Sequence, residues 1–266
     1  GVGGLGVVIA PTGAGKSMAL VHLAAQALKE GKNVIYYTLE LEDKVVGTRF
    51  DSCLTGVRLD TLKACKSVVL DNIKKVKGQL IIKEYPTKNA STETLKNHIL
   101  RTSTTKFEPD MIIVDYADLL KPVRYLKETR QELQGIYEEL RGIAKLFNCS
   151  LWTASQTNRG GLNAEVITME SISEAFSKCF VADFIFSLSR TIDDMNDNTG
   201  RIFIAKNRNG PTGYVYDIEM DTSKVLIKVP DDGPMTPREV TEKASQRQEK
   251  LLKDKYKEFK RRKDDK

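Results

Sequence analysis

Within eight consecutive positions, Ala10-Pro11-Thr12-Gly13-Ala14-Gly15-Lys16-Ser17 bring together two glycines, a lysine and a hydroxyl, a combination suited to a polyphosphate. Gly13 and Gly15 let backbone N–H groups close on phosphate oxygens, and a helix starting at Lys16 would add its positive end. The Lys16 ammonium can reach the outer phosphates, and the Ser17 hydroxyl can ligate Mg2+. The segment fits the phosphate-loop pattern with Ala10 at a position where glycine is usual. ATP and Mg2+ are the ligands this chemistry points to.

Three further runs end in a group that such a site could use. Met111-Ile112-Ile113-Val114-Asp115 is an apolar strand closed by a carboxylate, as expected of a magnesium-side acid beside a phosphate loop. Tyr37-Thr38-Leu39-Glu40 ends in Glu40, a base able to orient or deprotonate the attacking water. Ser150-Leu151-Trp152-Thr153-Ala154-Ser155-Gln156 ends in a neutral amide able to bond the terminal phosphate or that water. Between Ala205 and Gly213, the cations Lys206 and Arg208 stand one residue apart at an expected hairpin tip, so both can share one face. That pair suits a phosphate clamp delivered from a sheet edge to a neighbouring subunit. Taken singly, each of these side chains also fits a solvated surface, as Glu42 beside Glu40 illustrates.

Positioning these groups requires strands ending on one sheet edge. Short apolar, β-branched runs at 5–10, 33–39, 79–85, 110–115 and 150–155 alternate with helical periods at 16–29, 43–55, 60–76, 91–102 and 129–147. The expectation is an α/β fold of the P-loop kind, with a mostly parallel central sheet flanked by helices. Beyond Phe180 the rhythm changes to strands at 182–188, 200–205, 213–219 and 225–229. The turns Asn209-Gly210-Pro211-Thr212-Gly213 and Asp221-Thr222-Ser223-Lys224 make the last three an antiparallel C-terminal hairpin extension. One main unit over 1–230 and a charged linker with a helical or disordered tail over 231–266 are expected.

Composition narrows the class further. The 266 residues carry a formal charge of +6, which suits a polyanionic partner. Cys53, Cys65, Cys149 and Cys179 form no zinc-type spacing and read as buried free thiols. His22 and His98 read as helix-face residues and Trp152 as core. No signal peptide and no apolar run of membrane length occurs in the sequence, so a soluble, cytoplasmic protein with no membrane partner is expected.

In their order, Ala10 to Ser17, Thr38-Leu39-Glu40, Arg49, Asp115-Tyr116, Ser155-Gln156-Thr157-Asn158-Arg159 and Lys206 to Gly213 resemble the ATPase domain of DnaB-type hexameric replicative helicases, a RecA-like fold. The likeness is greatest to the helicases of T-even-like phages and spans about residues 5 to 229. It implies a motor that hydrolyses ATP to move on single-stranded DNA and unwind duplex, as a ring of six in the host cytoplasm. It makes Glu40 the catalytic base, Arg49 a nucleotide-site residue, Asp115 the magnesium-side carboxylate and Gln156 a γ-phosphate sensor. Lys206 and Arg208 become lysine and arginine fingers reaching the adjacent protomer's ATP. Two loops would face DNA: one with Lys121, Arg124, Lys127 and Arg130, and one from Arg159 to Lys178. In the second, bacterial members have Arg-Glu-Ser-Gly where Ser173-Glu174-Ala175-Phe176 stand, so Glu174 alone matches. A primase and a helicase loader are further partners the resemblance implies. The fold and phosphate loop alone also admit a filament-forming recombinase or recombination mediator, or a signalling ATPase that needs no DNA.

Overall fold

The computed structural model describes residues 2–157, 164, 166–168, 179–231, 233–243 and 245–246. Nine strands form one sheet in the order β3-β2-β4-β5-β1-β6-β7-β8-β9. The first six are β1 (Leu5–Ala10), β2 (Val34–Thr38), β3 (Leu80–Glu84), β4 (Met111–Asp115), β5 (Ser150–Gln156) and β6 (Phe184–Ser189), all paired in parallel. Strands β7 (Thr199–Asn207), β8 (Val215–Asp221) and β9 (Leu226–Lys228) continue the sheet antiparallel. The expected mostly parallel sheet with an antiparallel extension is therefore present.

Strands β1 and β2 are buried at every residue, as strands covered on both faces must be. One face packs beneath α1 (Lys16–Lys29) and α2 (Asp43–Thr55), where Leu20, Ala24, Leu28 and Phe50 meet Val8, Tyr36 and Ile113. The other packs beneath α4 (Thr92–Ser103) and α5 (Thr129–Leu146), where Leu95, Ile99, Ile136 and Leu140 meet Ile9, Ile35 and Val114. Because parallel strands require crossovers, the carboxyl ends of β1, β2, β4 and β5 all reach the same sheet edge.

The helix expected over 60–76 is shorter. Only α3 (Lys66–Ile73) is regular; before it, Thr61, Ala64 and Cys65 make tight turn bonds, and after it Lys75 and Val76 do the same. Two local features flank it. Asp60 binds the Arg58 guanidinium beside the first turn, and Gly78 must pass where an added Cβ would meet Lys32 O at 2.2 Å. A further short helix, α6 (Ile192–Asp197), follows β6 and opens on a capping box in which Thr191 and Asp194 bond each other's backbone.

Past the boundary expected at 230, the chain returns to the sheet: Met235 bridges Val215, and Val240 is buried. The packed body thus extends further than that boundary. None of the four cysteines is in a disulfide, and Cys53, Cys149 and Cys179 are buried; burial pushes the Cys53 thiol up to about 11. Trp152, expected in the core, is half-buried. Its ring stands over Gly6 and against Phe184 and Phe186 in an open apolar groove on the α1 face. His22 lies on the α1 face as expected and accepts the Ile227 N–H, while His98 on α4 bonds the Tyr37 hydroxyl. Among the described residues no helix is long and apolar enough to cross a membrane.

Candidate functional site

The loop between β1 and α1 turns on two glycines. Gly13 (φ 80°) has nothing within 4 Å of a would-be Cβ, whereas Gly15 (φ 103°) would place one 2.3 Å from Met220 Cε. Both conformations disfavour L side chains, and the second also lacks room. Lys16 folds back to donate to Ala10 O at 3.3 Å and Pro11 O at 3.0 Å. Its burial lowers the ammonium pKa, partly offset by the carboxylates of Glu40, Asp115 and Asp118. A partly desolvated cation among carboxylates, beside loop N–H groups and a helix N-terminus, fits an anionic ligand.

Ser17 Oγ donates to Asp115 Oδ1 at 3.2 Å, so the α1 hydroxyl and the β4 carboxylate meet. Asp115 is fully buried, and Tyr36 from β2 donates to its Oδ2 at 2.7 Å. Burial raises the Asp115 pKa, opposed by the Tyr36 and Ser17 hydrogen bonds, raised further by Glu40 and opposed by Arg49. A hydroxyl and a carboxylate, both oxygen donors, suit a hard divalent cation such as Mg2+. Gln156 Nε2 donates to Thr12 Oγ1 at 2.6 Å, tying the end of β5 to the loop.

An open cleft of about 500 Å³ is lined by Thr12, Gly13, Gly15, Lys16, Ser17, Glu40, Arg49 and Gln156, together with Tyr116. Glu40 is exposed at the cleft and Arg49 reaches it from α2. Sequence reasoning missed the cleft's far wall, formed by Arg190, Met195 and Thr222. Arg190 is buried, with Nε donating to Thr199 O at 2.9 Å. The capping-box pattern Thr191-x-x-Asp194 was the signal that could have found α6 and this wall.

With this geometry in view, the similarities are specific. The model of the DnaB-like helicase C-terminal domain family matches residues 2–224. The chain belongs to this family. A DnaB-like replicative helicase of Enterobacteria phage T4 is 28% identical over 270 residues, covering 96% of this chain and 56% of its own length, so the chain spans about half of that relative. Among solved structures, one described as an ATPase domain superposes with TM-score 0.71 at 18% identity, with 84% of each chain covered. A DnaB-like replicative helicase, described with its interactions with primase, also superposes with TM-score 0.71 at 18% identity, covering 85% of this chain and 57% of its own. In this chain the phosphate-loop residues, Glu40, Asp115 and Gln156 stand at the carboxyl edge of the sheet, and Arg49 reaches the cleft from α2.

Lys206 and Arg208 lie elsewhere. Asn207 pairs with Phe184, Phe184 pairs with Gly6, and the Arg208 N–H donates to Asp183 O, so Arg208 sits at the amino end of β1, while Lys206, paired with Ile185, stands level with Val7. Five strand steps separate Leu5 from Ala10, about 17 Å at ~3.3 Å per residue. The two cations converge on one segment: Lys206 Nζ donates to Phe180 O at 2.5 Å and stands 4.6 Å from the Phe180 ring centroid. Arg208 Nε lies 3.0 Å from Asp183 Oδ1.

Of the expected DNA contacts, Lys121 and Arg124 are exposed on the loop between β4 and α5, with Tyr125 73% exposed beside them. The root of that loop is tied down. Lys121 N donates to Ala90 O, and the Lys88 ammonium donates to the carbonyls of Asp118 and Leu120. Arg159, Glu174 and Lys178 lie outside the described residues.

Proposed function

We propose that this chain is the ATP-hydrolysing motor domain of a replicative DNA helicase, one that moves on single-stranded DNA and unwinds duplex as a hexameric ring. The single observation that carries the reading is the separation of the site into two ends of one strand. The phosphate loop, Glu40 and Gln156 surround a cleft at the carboxyl end of β1, with Asp115 buried behind Ser17, while Arg208 lies at the amino end of β1, about 17 Å along the strand from Ala10, with Lys206 level with Val7. The Arg208 side chain is too short to cover that distance to its own cleft, so Arg208, with Lys206 beside it, serves the ATP of an adjacent protomer.

In this reading the loop N–H groups and Lys16 hold the β- and γ-phosphates, and Arg49 helps hold the nucleotide. Mg2+ held by Ser17 and Asp115 would supply charge neutralisation at the phosphate oxygens. Glu40, exposed at the cleft, takes the proton of the attacking water. Gln156, already tied to Thr12, hydrogen-bonds the γ-phosphate and reports its presence to β5. Lys206 and Arg208 from the neighbour neutralise charge developing on the transferred phosphoryl group. Lys121 and Arg124 contact DNA phosphates, Tyr125 offers a ring on which a base can stack, and Arg159, Glu174 and Lys178 form the second contact. A primase and a loader are its partners, and the infected host's cytoplasm is its place of action.

Mixing two inactive variants tests the composite site. Lys16→Ala removes the phosphate-binding cation but keeps a finger to donate; Arg208→Ala keeps the cleft but donates nothing. Their mixture should regain ATPase activity that neither variant shows alone, with stimulation by single-stranded DNA. A mixture as inactive as its parts, under conditions where the wild type turns over, would refute action in trans.

A further inference from the structure

Arg208 does not hang free at the end of β7. Its Nε meets Asp183 Oδ1 at 3.0 Å, and its backbone N–H donates to the Asp183 carbonyl at 2.9 Å, so main chain and side chain are both referred to one residue. Among the described residues Nε alone makes a polar side-chain contact, and half of the side chain is exposed. The two terminal nitrogens thus have no polar partner among the described residues, and they are the pair that can bind a phosphate through parallel hydrogen bonds.

Asp183 is itself held by three hydrogen bonds from two residues. Arg141 on α5 grips it bidentately, Nε to Oδ2 at 3.0 Å and Nη2 to Oδ1 at 2.9 Å, and the Leu5 N–H donates to Oδ2 at 3.1 Å. The Leu5 contact joins the carboxylate to the first residue of β1, and the Arg141 contact joins it to a helix packed on the sheet. Burial raises the Asp183 pKa, but the Arg141 hydrogen bonds, the Leu5 N–H and the charges of Arg141 and Arg208 outweigh it, leaving the carboxyl below its usual range. Two guanidinium groups on one carboxylate leave the patch net positive, as a surface presented to phosphate requires.

We infer that Asp183, fixed by Arg141, is the positioning residue for Arg208: it aims the guanidinium so that its terminal nitrogens meet the neighbouring protomer's γ-phosphate. The inference rests on the proposed role of Arg208 in trans and adds the part that sets its geometry. Asp183 lies beside the first residue of β1 and does not line its own subunit's cleft. It acts by restricting a long side chain with many rotamers to the one that delivers charge, so its effect appears in the transition state and not in ATP binding.

The test uses the mixed rings described above, with Lys16→Ala subunits as finger donors and Arg208→Ala subunits as acceptors. Asp183→Asn keeps the size of the side chain and an acceptor for the Leu5 N–H while removing the charge that holds Arg208. Placed in the donor, it should lower kcat about 10-fold with KM for ATP unchanged, within the range for loss of a group supporting a functional side chain. Placed in the acceptor, whose residue 208 is already Ala, it has nothing to position and should leave kcat unchanged. Arg141→Gln in the donor, which loosens Asp183 without removing it, should give a smaller loss with the same split, and serves should Asp183→Asn fold poorly. Equal losses from donor and acceptor placements, a raised KM in place of a lowered kcat, or no loss from the donor would overturn the inference. Failure of the unmodified donor and acceptor to restore activity would instead remove its premise, the action of Arg208 in trans.

Discussion

Changing Tyr36 to Phe isolates one hydrogen bond at the centre of the proposed metal site. The Tyr36 hydroxyl donates to Asp115 Oδ2 at 2.7 Å, while Ser17 holds Oδ1 at 3.2 Å, and neither Tyr36 nor Asp115 is exposed to solvent. Phe keeps the ring and its edge contact with Phe50, 5.5 Å between centroids, so packing is preserved. What is lost is a bond to a charged acceptor, about 1.5–3 kcal/mol. No water reaches the vacated oxygen of a fully buried carboxylate, so a cost of about 2 kcal/mol or more is expected in urea unfolding of the protein without nucleotide. The functional consequence follows from the same geometry. With Oδ2 released, the carboxylate can rotate and no longer presents Oδ1 beside Ser17, and loss of such a supporting partner weakens metal binding about 10–100-fold. Titration of a fluorescent ATP analogue should therefore show weaker binding in Mg2+ and little change in EDTA. A stability change under about 0.5 kcal/mol, together with an unaltered Mg2+ requirement, would refute the claim that Tyr36 sets the Asp115 carboxylate.

Three other outcomes test separate parts of the structure. Gly15→Ala should destabilise the protein by about 1–2 kcal/mol in thermal unfolding through left-handed backbone strain, the Met220 Cε 2.3 Å from the new Cβ being the movable end of its side chain. Arg201→Leu leaves Asp194 without the partner 2.9 Å away, both side chains being 9% exposed, and should cost about 3 kcal/mol, the low end for a broken buried pair because Arg190 stays beside Asp194. Burial raises the Asp194 pKa, but the Thr191 and Thr199 hydrogen bonds and the Arg201 charge outweigh it and hold the carboxyl below its ordinary range. This contribution is therefore fully present above the unfolded pKa of about 3.9 and lost as pH falls through the lower folded value, so Asp194→Asn should flatten stability against pH below about pH 4 in acid titrations followed by circular dichroism. On the loop after β4, Lys121→Ala and Arg124→Ala should each reduce the salt dependence of single-strand binding by about 0.7 in the log–log slope, whereas Tyr125→Ala should weaken binding at an unchanged slope.

Some of this could be read from the chain and some could not, for physical reasons. The phosphate loop, Asp115 and Gln156 were legible because each ends an apolar strand, and parallel strands bring such ends to one edge whatever the helices between them do. Residues 60–76 misled because helical spacing of apolar residues reports a buried face, while here the flanking residues close into tight turns in place of continuing the helix. Trp152 was placed in the core because large aromatic residues in strands are mostly buried, but the sheet face it stands on is only half covered. Tyr36 and Asp183 carried no local signal. The value of Tyr36 comes from β4, 79 positions away, and that of Asp183 from Arg141 and Leu5, 42 and 178 positions away.

The strand that ends in the phosphate loop begins beside the group that holds Arg208. Leu5 donates to Asp183 at one end of β1, and Ala10 opens the loop at the other, with every residue between them buried. A packed central strand of this kind transmits displacement without bending. On the proposed reading, one subunit cannot move its arginine toward a neighbour's phosphate without moving its own cleft, and occupancy at one interface is felt at the next. Adaptation then falls to the parts that are not packed. The loop after β4, with Val123, Tyr125 and Leu126 each more than two-fifths exposed, is attached at its root through Lys121 and Lys88 to the turn that follows Asp115. On that reading, a packed sheet joining the cleft to Arg208, with an exposed basic loop rooted next to the carboxylate, would let strain from ATP be expressed where DNA is proposed to lie.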